Sequence, residues 1–244
     1  MSQKDNIYAQ KTHAIDDFRF DDTVADVFPD MINRSVPGYK TITHSAGRIA
    51  QRYVAQGDTL YDIGCSLGET SLSISRALPN DFCHIVAIDN AQAMVERCKR
   101  IVRQYALPNP IDVVCDDAQR INYECSGLIC LNFTLQFIPR EQRASLLSKL
   151  ATALKPGGAL LLSEKIRHPT QAGNELLIDL HHAFKRDNGY SELEIAQKRA
   201  AIENVMKTDT LDTHKQRLLE AGFDDVIVWY QNYNFVSMVA EKHR

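Results

Sequence analysis

Residues 59–68 read TLYDIGCSLG, a short apolar run ending in an acid-led glycine turn, and residues 84–89 read HIVAID, a second run that closes on Asp89. Gly64 and Gly68 carry no Cβ, so the backbone of the turn can come close to a ligand. An acid at the end of the following strand can accept both hydroxyls of a ribose. Strand, glycine turn, helical stretch and strand-end acid together describe a βα unit that binds a nucleoside.

Outward from this unit the alternation continues, with apolar runs at 111–115, 127–133 and 158–163 separated by amphipathic stretches. Such a pattern belongs to βα units feeding a parallel, doubly wound sheet. Helices are expected over 91–103, where Ala91, Met94, Val95, Cys98 and Ile101 share one face, and over 140–154, stopped by Lys155-Pro156-Gly157-Gly158. Near the C-terminus a helix over 213–221 with Gly222 as its cap precedes strands 225–231 and 233–240, an antiparallel hairpin at the sheet edge. Two helical additions lie outside the minimal sheet: an extension at about 15–55 and an insert at about 170–206, where Ser191 and Glu194 form a capping box that opens a helix through Met206. The whole chain, 1–244, is read as one domain.

Composition narrows the function. With Lys+Arg 28 against Asp+Glu 31 the net charge is -3, the wrong sign for holding nucleic acid over a broad face. The six cysteines form neither a CxxC pair nor a His-spaced cluster, which predicts no zinc site, no disulfide framework and a reduced compartment. The polar start and the lack of about 18 consecutive apolar residues predict a cytoplasmic protein without a membrane span.

The details of the loop separate nucleoside cofactors. It has the form G-x-x-x-G, not G-x-G-x-x-G, and Asp62 at its head would repel a pyrophosphate yet could help hold an amino group. S-adenosylmethionine, which has an amine and a sulfonium but no phosphate, suits it better than a dinucleotide. Asp116 and Asp117 follow the third strand, where a carboxylate can accept from an adenine amine, and Asn132 sits in the fourth strand's run; all these positions fall on the carboxyl edge of the sheet, where ligands of such folds bind. Cys65 is read as a small loop residue beside the ligand, not a nucleophile. In the insert, His181-His182, Lys185-Arg186 and Lys198-Arg199 could be solvated charge or could face an anionic substrate, for which Arg is the best bidentate partner.

Six stretches carry a family resemblance: FDDTVADVFPDMINRSVPGY (20–39), YDIGCSLGETSLS (61–73), AIDNAQAMVERCKR (87–100), LNFTLQF (131–137), KPGGALLLSEK (155–165) and HHAFKRDNGYSELEIAQKR (181–199), with a continuation through 203–223. Together they resemble the carboxy-S-adenosyl-L-methionine synthases. The resemblance implies a Rossmann-like class I methyltransferase fold. It also implies an enzyme that converts S-adenosyl-L-methionine and prephenate to carboxy-S-adenosyl-L-methionine and phenylpyruvate, with no metal and with prephenate itself supplying the base. It implies ligand contacts at Tyr39, Gly64, Cys65, Ser66, Asp89, Asn90, Asp117, Ala118 and Asn132, with Arg199 pairing with the new carboxylate as the catalytic contact. It implies a homodimer, and a product consumed by a separate tRNA carboxymethyltransferase for oxyacetyl modification of the wobble uridine. A conventional methyltransferase and a non-catalytic metabolite carrier are the rival readings, since fold alone does not fix function.

Overall fold

The computed structural model describes residues 3–12 and 14–243; residues 1–2, 13 and 244, which the single-domain reading also takes in, lie outside the described residues. Among the described residues seven strands are present: β1 (Asp58–Ile63), β2 (Cys83–Asp89), β3 (Ile111–Cys115), β4 (Ser126–Asn132), β5 (Leu154–Lys165), β6 (Asp225–Asn232) and β7 (Phe235–Glu241). Their order across one sheet is β3-β2-β1-β4-β5-β7-β6. The first five run parallel, and β7 pairs antiparallel with both β5 and β6. The C-terminal hairpin therefore occupies the sheet edge as the sequence predicts, with β7 against β5 and β6 outermost.

Period-two alternation divides the strands between two cores. Tyr61, Ile63, Ile129, Leu131, Leu160 and Leu162 face one side; Leu60, Leu128, Cys130, Ala159 and Leu161 face the other. The first face is covered by α5 (Arg140–Ala153) through Leu146, Leu147 and Leu150, and by α8 (Leu211–Glu220) through Leu218. The second is covered by α2 (Tyr39–Tyr53) through Ala46 and Ala50, by α3 (Glu69–Ala77) through Leu72 and Ile74, and by α4 (Gln92–Val102) through Cys98. Each fully buried leucine of this kind contributes about 1.5–3 kcal/mol.

The remaining helices are the two additions. α1 (Asp22–Ser35) begins at Asp21, whose side chain accepts from the Val24 N–H, and packs Val24, Val27, Phe28 and Met31 against Met94 and Ala201. α6 (Gln171–Asp187) and α7 (Glu192–Ile202) form the insert, and the capping box at Ser191 and Glu194 is present.

Several boundaries shift. α7 ends at Ile202, short of the expected Met206, and α8 starts at Leu211, two residues before the expected Thr213, because Thr210 serves as its N-cap and accepts from the Thr213 N–H at 3.2 Å. The Lys155-Pro156-Gly157-Gly158 stretch does stop α5, but it belongs to β5. Gly157 at φ +79° and a register shift between Ser126 and Leu128 let the strand start at Leu154 and bulge through these residues.

Candidate ligand cavity

A cavity of about 220 Å³ opens at the carboxyl ends of β1–β5, beneath α1 and the insert. Its first wall is the glycine loop. Gly64 adopts φ +71° and lies so close to Thr134 that a Cβ would collide with its hydroxyl; Gly68, at φ +84°, precedes α3. The N–H groups of Gly64 and Cys65 both donate to the Ile88 carbonyl, at 2.8 and 2.9 Å, which ties the loop to β2. Ser66 is held in the left-handed region, φ +50°, by donating its N–H to Asp89 Oδ2 at 2.9 Å.

Asp89 thus has two neighbours that fix it, since Oδ1 also accepts from the Ala91 N–H at 2.9 Å. Burial pushes its carboxyl above the usual range, a tendency that the hydrogen bonds from Ala91, Ser66 and Asn90 oppose. Ligand hydroxyls at this position would restore what burial removes. At the end of β3 the two neighbouring acids divide. Asp116 is held by Arg120, at 2.8 and 2.9 Å, and by the Asp117 N–H at 2.7 Å, so its carboxyl sits below the usual range, chiefly through that backbone bond. Among the described residues the Asp117 carboxylate engages only the neighbouring Gln119 N–H, through Oδ1, and Asp116, Asp117 and Ala118 all line the cavity.

At the end of β4, Asn132 is oriented by both ends of its amide: Nδ2 donates to Thr70 Oγ1 at 3.2 Å, and Oδ1 accepts from Ser163 Oγ at 2.6 Å. Phe133 follows at φ +59°, a strained conformation for a bulky side chain. Its ring packs beside Tyr39 and Phe235, with centroids 6.2 and 6.1 Å away. Burial holds the Tyr39 hydroxyl protonated, so it is a donor.

Nine of the ten positions that the family resemblance implies, Tyr39, Gly64, Cys65, Ser66, Asp89, Asn90, Asp117, Ala118 and Asn132, line this one cavity. Arg199 is not among the lining residues. Its side chain is 55% exposed and stands 3.9 Å from Glu203, although its charge reaches Lys165, His182 and Lys185. Asp62 does not line the cavity either: Oδ2 accepts from the Ser71 N–H at 3.1 Å and from Ser71 Oγ at 2.6 Å. It pins α3 under the loop instead of offering itself to an amine. The Cys65 thiol is pushed up by hydrogen bonding with Cys98 and by burial, so it stays protonated and unreactive.

The sequence reading misses an aromatic roof and Lys165; of the insert cations it leaves open, Lys185, Lys198 and His181 line the cavity. Phe18, Phe20, Phe28 and Met31 form a roof from the N-terminal extension, with Phe20 packed edge-on to Phe137 at 5.3 Å. Lys165, at the end of β5, faces the cavity with Lys185, Lys198 and His181. A lysine at the end of the strand that carries the apolar run ALLL (159–162) was the available signal for Lys165. Among the described residues, no group of three or more His, Cys, Asp or Glu side chains is gathered to hold a metal ion, and no helix is long and apolar enough to cross a membrane.

This sheet order, with a glycine loop after β1 and ligand positions along the carboxyl edge, defines the S-adenosylmethionine-dependent methyltransferase class. A methyltransferase domain profile matches residues 60–158. A putative S-adenosyl-L-methionine-dependent methyltransferase from Methanococcus maripaludis superposes with a TM-score of 0.61 at 19% identity, over 96% of this chain and 98% of that one. Human N-acetylserotonin methyltransferase does so with a TM-score of 0.59 at 15% identity, over 91% and 56%. These two show the fold alone. Within the class, the carboxy-S-adenosyl-L-methionine synthase of Alteromonas mediterranea is 55% identical over 99% of this chain and 100% of its own length, and that of Pasteurella multocida is 49% identical over 98% and 99%. The chain belongs to the carboxy-S-adenosyl-L-methionine synthase family.

Proposed function

We propose that the chain converts S-adenosyl-L-methionine and prephenate to carboxy-S-adenosyl-L-methionine and phenylpyruvate. The observation that carries this is the convergence of nine contact positions on one cavity, in a chain about half identical to synthases over nearly its full length. In this reading Asp89 accepts the ribose hydroxyls, Asp117 and Ala118 border the adenine, the Gly64–Ser66 backbone admits the methionine portion, and Tyr39 and Asn132 flank the reacting end. S-adenosylmethionine supplies a methyl group acidified by its sulfonium, and prephenate supplies the carboxyl group as it aromatises. Atoms balance when the methyl proton leaves with the prephenate hydroxyl as water. The aromatic roof excludes bulk water from this exchange.

The sheet, the extension and the insert act as one unit in the cytoplasm, and the product passes to a separate tRNA-modifying enzyme. The chain works as a homodimer: Leu176 and Leu180, one helical turn apart on α6, and Leu193 on α7 are 59%, 37% and 38% exposed, an apolar surface that a second copy would cover. Sedimentation equilibrium that returned the mass of a single chain would remove the dimer.

The test of the activity is mass spectrometry after incubating ligand-stripped protein with both substrates. A nucleoside product one CO2 heavier than S-adenosylmethionine, together with phenylpyruvate, is expected. Methylation of an acceptor without that product would instead support a conventional methyltransferase, and tight S-adenosylmethionine binding with untouched prephenate a carrier.

Arg199 is given the new carboxylate as its partner, on the strength of its position beside the cationic end of the cavity. Arg199→Ala is expected to weaken binding of the carboxylated product about tenfold or more, the worth of one charge-assisted contact, and S-adenosylmethionine binding far less. Equal losses for the two ligands by calorimetry would take this role away.

A further inference from the structure

The cavity is electrostatically divided along the strand order. Its acids, Asp89, Asp116 and Asp117, stand at the β2 and β3 ends, whereas the β5 end and the insert contribute amines. Of these, Lys198 is already neutralised: its Nζ lies 3.3 Å from Asp5 Oδ2 and 3.0 Å from Ser35 Oγ. His181 is committed as well, with Nε2 2.8 Å from the Ser35 carbonyl; burial and the neighbouring lysines keep the ring neutral, so Nε2–H is the donor.

Lys165 and Lys185 have no such partners. Among the described residues, neither Nζ makes an ion pair or a hydrogen bond, although Lys185 is only 8% exposed. Burial, then repulsion by Arg199, depresses Lys165 to about 8; burial, then repulsion by Lys165, Lys198 and Arg199, depresses Lys185 to about 7. Two buried cations without counter-charges are costly, and a ligand carrying two negative charges would relieve both the desolvation and the repulsion. Beside them the Phe235 ring, 5.7 Å from Lys165 Nζ and edge-on to His181 at 4.9 Å, offers a flat apolar wall to the body of such a ligand.

We propose that Lys165 and Lys185 are the binding residues for the two carboxylates of a compact cyclic dicarboxylate, the second substrate, which lies against Phe235 at the β5 end of the cavity. This rests on the synthase reading for the identity of that substrate, but the subsite itself follows from the unpaired amines. It separates the co-substrate from the adenosyl group, whose acceptors stand at the ends of β2 and β3.

The experiment is calorimetric binding of prephenate to protein saturated with S-adenosylhomocysteine, which cannot react, alongside steady-state kinetics. Lys165→Met and Lys185→Met remove the charge while keeping all but one atom of the side chain's length, and are each expected to raise the prephenate Kd and KM about tenfold or more, while S-adenosylmethionine affinity stays within about twofold. Lys165→Arg, which keeps the charge, should recover most of the prephenate affinity. Parallel loss of S-adenosylmethionine affinity would assign the lysines to the methionine carboxylate and overturn the proposal, as would unchanged prephenate affinity or a wild-type protein that binds no prephenate. Prephenate binding that the lysine variants abolish, without turnover by the wild type, would keep the subsite and sink the synthase reading alone.

Discussion

Asp89→Ala should raise the dissociation constant for S-adenosylmethionine about a hundredfold or more, the largest loss expected from any single change in the cavity. Two effects combine. The carboxylate is the acceptor that the ribose hydroxyls would use, and each charge-assisted bond of this kind contributes about 1.5–3 kcal/mol. The same carboxylate also receives the Ser66 N–H at 2.9 Å and so holds that residue at φ +50°. Without it the loop relaxes toward an ordinary conformation, and binding must restore the strained one. Asp116→Asn is the matched comparison: its carboxylate is already taken by Arg120 and the Asp117 amide, so affinity should change less than about threefold. Calorimetry on the two variants decides the matter. An Asp89→Ala protein with affinity within about fivefold of the wild type would place the ribose elsewhere.

That contrast also marks how far sequence reaches. The β1 run, the glycine turn and Asp89 are legible because they are local: apolar periodicity, two glycines and an acid at a strand end lie within one βα unit, and its geometry is fixed by backbone rules. The acid pair at Asp116 and Asp117 is ambiguous in sequence, because the difference between them is the side chain of Arg120 folding back from the following turn, four residues on. Asp62 misleads for a related reason. An acid heading a ligand loop reads as a ligand group, but the helix that follows brings the Ser71 hydroxyl and N–H onto it first. The amines of the insert mislead in the opposite direction. Charge on a helix usually means solvent, yet Lys185 and Lys198 are turned inward, because α1 and the N-terminal segment cover that face of the insert. Asp5 contacts both Lys198 and the Tyr190 hydroxyl, an arrangement spanning nearly the whole chain that no local pattern announces. The roof of Phe18 and Phe20 is hidden likewise, since residues 14–20 form no helix or strand whose periodicity could be read.

A second long-range arrangement holds the cavity floor, and its loss should cost more stability than any other polar substitution in the protein. Arg143 on α5 is fully buried, and its donors are matched on three sides: Nε to the Ile138 carbonyl at 2.8 Å, one terminal nitrogen to Asp209 Oδ2 at 2.7 Å, the other to the carbonyls of Gln136 at 3.1 Å and Lys207 at 2.8 Å. Burial alone would raise the Asp209 carboxyl, but hydrogen bonding from Arg217 and the charges of Arg143 and Arg217 hold it below the usual range. The guanidinium therefore fastens the segment after β4, which carries Phe133 and the turn Leu135–Phe137, to the segment before α8. Glu164 reinforces the same turn by accepting the Leu135 N–H at 3.0 Å, and Gln136 returns the connection by accepting the Lys165 N–H through Oε1 at 3.0 Å. Arg143→Met keeps much of the volume but leaves the Ile138 and Lys207 carbonyls without their donor, the Gln136 carbonyl with the Lys207 N–H alone, and part of the Asp209 charge unmatched. Removing one partner of a buried ion pair typically costs about 3–5 kcal/mol, and that loss is expected in urea unfolding, with the midpoint lowered and the slope unchanged. A loss below about 1 kcal/mol would mean that Arg140 and Arg217 alone satisfy Asp209 and that the carbonyls find water. Because the turn borders the cavity beside Lys165, the variant should also weaken S-adenosylmethionine and prephenate binding together. The lysine variants, in contrast, separate the two ligands, so a position that anchors the floor can be told from one that meets the co-substrate.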